Sequence, residues 1–422
     1  MGVIIAFAVM VILVWKKVPL ALSGVIAGVV MCVLSGLPVL ETMTGDFMAG
    51  TVGFVKSWFL LFLFCSIYAA AMDASGAAYS LGKAIANKVG AKYAIWGVSL
   101  AAFVMTYGGI SCFVIVFAMY PIALVVFKEA NISQRLIPAA IAAGAFTSPN
   151  TLIGSPAICN LIPAQGLGTT AMAAPLMSIV VSIAIFILPN LYLLWVVKRD
   201  RKRGIGFKDT ERSKKVIDDN KDRPTVNAFL ALLPLVAIVG INMSGLNVLY
   251  AVLAGIVLAY GLFWKRIDNK LDTLVSGTQS GINAVMTVSP AVGLGSVVKL
   301  TNVFGSVVNF VTNMAGSPLV SWSIASAVLS FVCSSGSAAQ TMMNDLLVPT
   351  YLSMGCNPEV LHRVSSVAIL AASATPWNGT MCVTMGACDL SHKEAYPQLI
   401  LTYIAAWLPG TILAIVMGIL FY

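Results

Sequence analysis

Long apolar stretches, interrupted by short polar ones, occupy most of this chain. Many are close to the ~20 residues that a helix needs to cross the hydrocarbon core of a bilayer. The pattern predicts an all-α polytopic membrane protein with about five crossings in each half. The predicted crossings are 3–15, 18–37, 57–73, 136–163 and 171–197 in the first half, and 226–242, 248–264, 281–298, 358–390 and 397–420 in the second.

Each half also contains an apolar region whose two arms are too short to cross. The first pairs 93–107 with 111–127 around the small-residue tip GGIS, 108–111. Arms shorter than the ~20 residues of a span favour a re-entrant hairpin over two crossings. A second hairpin is predicted over 319–354, with the tip SSGS at 334–337.

One predicted crossing carries a polar interruption in its middle. Residues 145–163 read AFTSPNTLIGSPAICNLIP, in which hydroxyl and amide side chains surround Pro149 and Pro156. Polar groups without partners are costly in hydrocarbon, so this segment predicts a broken helix that faces protein or a polar cavity. The corresponding break in the second half is TPWNGT, 375–380.

The two halves resemble each other at a nearly constant spacing, which predicts an internal duplication. The repeats are predicted at 1–197 and 226–422, joined by a charged linker at 198–225. Four pairs of residues, separated by 226 or 227 positions, carry the similarity. They are Gly90 and Gly316, Gly109 and Gly336, Asn131 and Asn357, and Pro149 and Pro376.

Basic residues predict the orientation of the halves. Eleven of the 25 Lys and Arg lie in 198–223, which the positive-inside rule places in the cytoplasm. Lys16 and Lys17 follow the first apolar run, and Lys265 and Arg266 follow the span at 248–264. If both pairs are cytoplasmic, corresponding first helices cross in opposite directions. The repeats are therefore predicted to be inverted.

Composition confines the chain to the membrane class. Hydrophobic residues make up 59% and charged residues 10%, against about 25% charged in soluble domains. The net charge of +9 is a topology signal and does not indicate nucleic-acid binding. Eight scattered Cys without a CxxC pattern and two His predict no disulfide framework and no metal site. The apolar N-terminus precedes its basic pair, so we expect a retained helix rather than a cleaved signal peptide.

The breaks and the hairpin tips predict a binding site near the membrane midplane. Breaking a helix frees N–H groups that suit anions and carbonyl groups that suit cations, and glycines permit close approach. The alternative is close helix packing, which small residues also mediate in membranes. The candidate substrate-binding residues are Gly108, Gly109, Ser111, Thr147, Ser148, Asn150, Thr151, Ser155, Ser335, Gly336, Ser337, Thr375, Asn378, Gly379 and Thr380.

Ionisable side chains within the spans are few. Asp345, on the outer arm of the second hairpin, is the candidate for proton coupling, and the alternative is a structural role in orienting that hairpin. His362 and Arg363 are interpreted as contacts to lipid headgroups or the interface, in preference to an anion site in an outer vestibule. No cofactor is expected beyond a co-transported proton, with sodium as the alternative.

Several stretches resemble the gluconate permease (GntP) family of the ion transporter superfamily. They are GGISCFVIVFAMYPIALVVFKEANISQRLIPAAIAAGAF, GSPAICNLIP, GTTAMAAP, NPEVLHRV and LSHKEAYPQLI. The resemblance implies a homodimeric, usually proton-coupled symporter that takes up gluconate or a related hydroxy acid by an elevator motion. It also implies that the two tips and the two breaks line the substrate site. SPNT resembles the Ser-Asn-Thr motifs of sodium-coupled superfamily members.

The sequence therefore predicts a multi-pass secondary transporter of the plasma membrane, whose partners are a small organic anion such as gluconate and membrane lipid. A sodium-coupled transporter and, less favoured, a passive anion channel are the alternatives. An intramembrane enzyme is disfavoured, because the chain has no HExxH and no paired catalytic aspartates.

Overall fold

The computed structural model describes residues 2–16, 18–89, 93–110, 112–219, 225–244, 246–301, 317–333, 335–375, 378–388, 390 and 392–422. Throughout these ranges the regular structure is helical, without a β-strand. The all-α class predicted from the sequence is confirmed.

The helices before the linker follow the predicted order. They are α1 (Gly2–Trp15), α2 (Leu20–Ser35), α3 (Val39–Ala74, with a π-helical turn at Met43–Phe47), α4 (Ala77–Val89), α5 (Ala94–Tyr107), α6 (Cys112–Glu129), α7 (Ile137–Ala145), α8 (Ile158–Leu167) and α9 (Pro175–Lys202). Gly36 ends α2 in the left-handed conformation, with φ +68°, which glycine adopts without steric cost.

The helices from the linker onward are α10 (Glu211–Asp219), α11 (Ala228–Met243), α12 (Val248–Phe263), α13 (Lys270–Lys299), α14 (Pro318–Cys333), α15 (Gly336–Leu346), α16 (Val348–Ser353), α17 (Pro358–Ala368), α18 (Leu370–Ser373), α19 (Gly379–Ala387) and α20 (His392–Phe421). Asn side chains begin several of them. The Oδ1 atoms of Asn227, Asn247 and Asn357 each accept a hydrogen bond from the backbone N–H two residues later.

Among the described residues, four helices are long and apolar enough to cross a membrane by length and composition: α3, α9, α13 and the part of α20 at Lys393–Phe421. Their outward faces carry large apolar side chains; Val52 on α3 is 54% exposed and Ile419 on α20 is 57% exposed. Exposed apolar faces are compatible with hydrocarbon but not with water. The protein is a polytopic membrane protein.

The long helices pack in pairs that join the two halves. α3 and α13 share the most extensive interface, and α9 packs along α20. Two glycines allow α13 to lie directly on the backbone of α3. A Cβ atom on Gly277 would lie 2.7 Å from Ile67 Cα, and one on Gly281 would lie 2.8 Å from Leu63 Cα. Such contact through small residues is how helices associate closely in membranes.

Further contacts occur in matched pairs. α1 packs on α2 as α11 packs on α12, and α2 packs on α13 as α12 packs on α3. α8 of the first half packs against α15 of the second, while α19 of the second packs against α6 of the first. A two-fold relation between the halves requires this reciprocity.

Two predicted helix starts differ most from the structure. α13 begins at Lys270, although the apolar pattern starts the span at 281, because Asn269 caps the helix by accepting a hydrogen bond from Asp272 N at 3.2 Å. α3 begins at Val39, well before the predicted start at 57. Both helices begin before the apolar segment on which the prediction was based.

The charged linker folds back onto the turn between α6 and α7. Asp200 is buried and accepts a hydrogen bond from Arg135 Nη2 at 2.6 Å. Lys128 pairs with Asp209 at 2.7 Å, and Phe207 N donates to the side chain of Asn131 at 3.0 Å. The linker is thus held against the base of the first hairpin.

Candidate functional site

The first predicted break is present. α7 ends at Ala145, a single 3₁₀ turn spans Ser148–Asn150, and α8 begins only at Ile158. Gly154 has φ +69°, a conformation that side-chain-bearing residues rarely adopt. The break is largely buried, so its backbone groups must find partners within the protein.

Four of the predicted site side chains satisfy the break itself. Thr147 Oγ1 donates to Ala143 O (2.7 Å), Ser148 Oγ to Ser182 O (2.9 Å) and Asn150 Nδ2 to Phe146 O (3.1 Å), while Ser155 Oγ accepts from Ala157 N (3.2 Å). The bonds of Thr147, Asn150 and Ser155 replace helical ones lost at the break, and that of Ser148 ties the break to α9. They give each of the four side chains a structural role in holding its shape.

Thr151 differs from its neighbours. It is fully buried, and its Oγ1 has no hydrogen-bond partner within the described part of the chain. Its carbonyl accepts two hydrogen bonds, from Ser178 Oγ at 2.6 Å and from Arg363 Nη1 at 2.9 Å. A buried hydroxyl without a partner costs free energy, and a bound ligand would supply that partner.

The interpretation of His362 and Arg363 as headgroup or interface contacts was wrong. Both side chains are 0% exposed; Arg363 lies against the first break, and His362 contacts Asn160 and Thr169 beside it. Arg363, which lies in the second half, places a basic side chain at the first break, although residues 147–156 themselves contain none. Its distance from the break along the chain concealed the contact.

Asn160 connects these two basic side chains. Its Nδ2 donates to Ser155 O at 2.8 Å, which leaves Oδ1 to accept from Arg363 Nη1 at 2.6 Å. The same Oδ1 lies 3.1 Å from His362 Nε2, so this nitrogen carries the proton. His362 Nδ1 lies 2.8 Å from Thr169 Oγ1, whose hydroxyl donates to it when the ring is neutral.

The tip of the first hairpin contacts the first break. The Tyr107 hydroxyl, one residue before Gly108, donates to Ile153 O at 2.7 Å. Gly109 has φ +92°, and a Cβ atom there would lie 3.5 Å from the ring of Pro156. The structure therefore brings Gly109 to the break, whereas a Cβ atom on Gly108 would lie 2.2 Å from Leu235 Cγ of α11. Ser111 lies outside the described residues.

The second hairpin meets the first half through its outer arm. Gln340 Nε2 donates to Cys159 O at 2.8 Å, and Asn344 Nδ2 donates to Ile162 O at 2.7 Å. At the tip, Ser335 Oγ caps α15 by accepting from Ala338 N at 3.3 Å. The helix α8 that follows the first break is thus held by the second hairpin.

The other tip residues pack locally. Ser337 Oγ lies 3.1 Å from Ser335 Oγ, and a Cβ atom on Gly336 would lie 2.9 Å from the side chain of Ile369, just before α18. The second tip therefore lies close to the helix that precedes the second break.

The second break separates α18 from α19. Thr375 Oγ1 donates to Ala372 O at 2.8 Å, and Asn378 Oδ1 accepts from Thr380 N at 3.0 Å and from Met381 N at 3.2 Å. Gly379 is the first residue of α19. Pro376 and Trp377 lie outside the described residues. Asn378 is thus an N-terminal cap, a role that the sequence prediction did not assign.

Asp345 is not brought to the breaks. Its side chain is 49% exposed and lies 3.7 Å from Lys299 Nζ. The proton-coupling role remains a prediction.

The residues that sequence reasoning left out of the site are Tyr107, Asn160, Gln340, Asn344 and Arg363. Each is a polar residue within a predicted apolar element, and such residues in membrane helices are functional candidates by default. That signal was available for all five. The partners of these residues could not be identified from the sequence, because most of the contacts join distant parts of the chain.

The chain is similar to known transporters in sequence and in fold. The family model CitMHS, citrate transporter, matches residues 10–271. The uncharacterized transporter YxjC of Bacillus subtilis (strain 168) is 27% identical over 406 residues, 86% of each chain. The crystal structure of the Alcanivorax borkumensis YdaH transporter, described as having an unusual topology, matches with a TM-score of 0.63 at 14% identity, over 90% of this chain and 89% of that chain. The last likeness concerns the fold alone. The predicted transporter class is confirmed, and the family that matches is not the gluconate permease family.

Proposed function

The chain belongs to the CitMHS family of citrate transporters, and from this we propose that it is a secondary active symporter for a small hydroxylated carboxylate, driven by a proton gradient. The protein is a multi-pass membrane transporter of the plasma membrane. The family's description makes citrate the first substrate to test. Gluconate is the second, because of the sequence stretches that resemble gluconate permeases.

One observation carries the proposal. The first break is held by Tyr107 of the first hairpin on one side and by Arg363 of the second half on another, while Gln340 of the second hairpin holds the helix that follows it. Irregular backbone of this kind is tolerated in membranes where it is buried in protein or lines a cavity. Transporters place their substrate sites at such discontinuous helices, near the interface of the repeats.

The chemistry of the break suits an α-hydroxy carboxylate. Citrate and gluconate both carry a hydroxyl on the carbon next to a carboxylate. A carboxylate is attracted by a buried cation such as Arg363 and accepts a hydrogen bond from a hydroxyl such as that of Thr151. Gluconate and citrate share this unit despite their different sizes and charges.

The remaining parts of the proposal concern architecture. The matched contacts of α8 with α15 and of α19 with α6 support two inverted repeats, 1–197 and 226–422, joined by the linker 198–225. In an elevator motion the hairpins and breaks would move against the α3–α13 pair. The resemblance to the ion transporter superfamily supports a homodimer, and light scattering of the purified protein in detergent tests that state.

Uptake into proteoliposomes tests the function. Labelled citrate and labelled gluconate are each offered with an inward proton gradient, with a sodium gradient and with neither. We expect concentrative uptake that requires the proton gradient and collapses with a protonophore. Protein-free liposomes and the Tyr250→Phe variant, altered at a side chain that is 65% exposed, serve as controls. Uptake that requires the sodium gradient would make sodium the coupling ion in place of the proton. Uptake that only equilibrates the acid across the membrane would favour a channel. No uptake of either acid would overturn the proposal.

A further inference from the structure

Arg363 is a buried cation that reaches from one half of the chain into the first break of the other. It lies on α17 and is 0% exposed. Its guanidinium donates four hydrogen bonds to oxygen atoms of the first half. The acceptors are Ala173 O from Nε (2.7 Å), Thr151 O and Asn160 Oδ1 from Nη1 (2.9 and 2.6 Å), and Ala171 O from Nη2 (2.8 Å).

All four acceptors are neutral. Within the described residues, no carboxylate oxygen lies within 4 Å of this guanidinium, although ion pairs of other arginines occur in the same structure. Glu359, one turn earlier on α17, turns its Oε2 to Ala174 N at 2.6 Å instead. Carbonyl dipoles stabilise a cation only in part, and Glu359 acts on this charge only through space, so a buried guanidinium without a directly paired carboxylate is costly and attracts an anion.

Thr151 supplies a second, independent observation at the same place. Its carbonyl is bonded to Arg363, while its buried Oγ1 has no partner in the part of the chain that the structure describes. Since the hydroxyl and the carbonyl belong to the same residue, a ligand bonded to Thr151 Oγ1 would lie near the Arg363 charge. The cation and the unused hydroxyl together define the position and the charge of that ligand.

We infer that Arg363 is the residue that selects for anions in the proposed transport site, and that the substrate carboxylate binds beside Thr151. The inference rests on the proposed function and deepens it. Arg363 acts through its charge and by fixing the Thr151 peptide, because four of its N–H groups already donate the hydrogen bonds given above. It is thus a positioning and specificity residue, and Thr151 Oγ1 is the direct contact.

The test compares a charged ligand with its neutral analogue. Labelled gluconate or citrate, whichever the wild type takes up, is competed with unlabelled gluconate and with gluconamide, which lacks the charge. The ratio of the two inhibition constants measures the preference for charge. In Arg363→Gln we expect this preference to fall at least about tenfold, the size of one charge–charge interaction at a few ångströms in a partly polar interior. Arg203→Gln, at an exposed arginine at the end of α9, is the matched control and keeps the wild-type ratio.

Arg363→Lys separates charge from geometry. Lysine keeps the positive charge but lacks the planar fork, so we expect weaker binding of both ligands with a ratio close to that of the wild type. Equal weakening of both ligands in Arg363→Gln, with the ratio unchanged, would reduce Arg363 to a structural role and overturn the inference. If Arg363→Gln does not fold, Arg363→Lys decides alone, since a lost preference despite a retained charge contradicts the inference.

Thr151→Val tests the contact itself. The change replaces a hydroxyl that has no partner by a methyl group of similar size, so we expect thermal stability to be unchanged or slightly higher. Binding of the acid is expected to weaken about tenfold, as for the loss of one hydrogen bond to a charged group. Wild-type affinity in this variant would remove Thr151 from the site. If the wild-type protein itself binds neither acid, the proposed function fails, and the inference with it.

Discussion

The hydroxyl of Tyr107 donates a 2.7 Å hydrogen bond to the backbone carbonyl of Ile153, and this bond joins the tip of the first hairpin to the first helix break. The Tyr107 ring stacks on Phe103, with ring centroids 5.7 Å apart and planes at 9°, so the hydroxyl is aimed by packing. Asn242 of α11 bonds the next residue of the break, donating to Gly154 O at 2.8 Å. Tip and break therefore form one unit, which α11 supports from outside.

Tyr107→Phe should separate the tip from the break without removing the ring. The Ile153 carbonyl loses its partner, at a cost of about 1–3 kcal/mol in the folded state if it stays buried. We expect the maximal rate of uptake to fall several-fold while the protein remains folded. Uptake kinetics and thermal unfolding of the purified variant measure the two effects. Tyr250→Phe, at an exposed tyrosine on α12, is the control. Wild-type kinetics in Tyr107→Phe would show that this bond does not hold the break in its working shape.

The breaks were predictable from the sequence because their signal is local. Proline and small polar residues cannot continue an apolar helix, and 147–156 contains both. The placement of Arg363 was not predictable in the same way. Its partners Thr151 and Asn160 lie 212 and 203 residues earlier, and only the packing of one half on the other brings them together. A charge in an apolar span indicates that a partner exists but not which one.

Gly144 fixes how closely α7 approaches α5. A Cβ atom at this position would lie 1.9 Å from the carbonyl oxygen of Ser99 and 2.7 Å from its carbonyl carbon. Backbone atoms cannot move aside as a flexible side chain does, so Gly144→Ala must push the helices apart. We expect a loss of stability of at least about 1–3 kcal/mol, the usual cost of overpacking, measured by thermal unfolding in detergent.

The control for that change is Gly240→Ala on α11. There a Cβ atom would meet no atom within 4 Å, and alanine is the better helix former by about 1 kcal/mol. We expect this variant to be as stable as the wild type or more so. If both variants unfold at the wild-type temperature, the result would contradict the close contact of α5 and α7.

The half-buried pair of Arg135 and Asp200 is expected to hold the linker on the first hairpin. Asp200→Asn removes the negative charge that faces Arg135 Nη2 at 2.6 Å. Breaking a fully buried pair costs about 3–5 kcal/mol, but the Arg135 side chain is 29% exposed and solvent reduces that figure. We expect a loss of about 1–3 kcal/mol and faster tryptic cleavage within the linker.

Asp209→Asn is the matched change at an exposed pair. Asp209 and Lys128 are 40% and 45% exposed, and such surface pairs contribute at most about 1 kcal/mol. We therefore expect cleavage and unfolding close to those of the wild type. Equal cleavage rates in the two variants would contradict an anchoring role for Asp200.

Side-chain roles within the breaks were only partly predictable. Asn150 and Asn378 both suggest substrate contacts in sequence, because an amide in an apolar span needs a partner. The structure gives each a partner in the backbone nearby: Asn150 Nδ2 bonds Phe146 O, and Asn378 Oδ1 caps α19. The sequence shows that a polar group must be satisfied, but backbone geometry decides whether the break or a ligand does so.

Asn378 offers a test between these roles. Asn378→Ala removes the acceptor of Thr380 N and Met381 N, and the loss of such a cap typically costs about 1 kcal/mol. Asn378→Ser keeps a capping oxygen but lacks the amide. If capping is the role, uptake falls strongly in the alanine variant and recovers to most of the wild-type rate in the serine variant, with stability following the same order. If the amide also contacts the substrate, the serine variant recovers stability but not affinity, and competition by unlabelled substrate reveals the difference. Normal uptake in Asn378→Ala would remove Asn378 from the transport site.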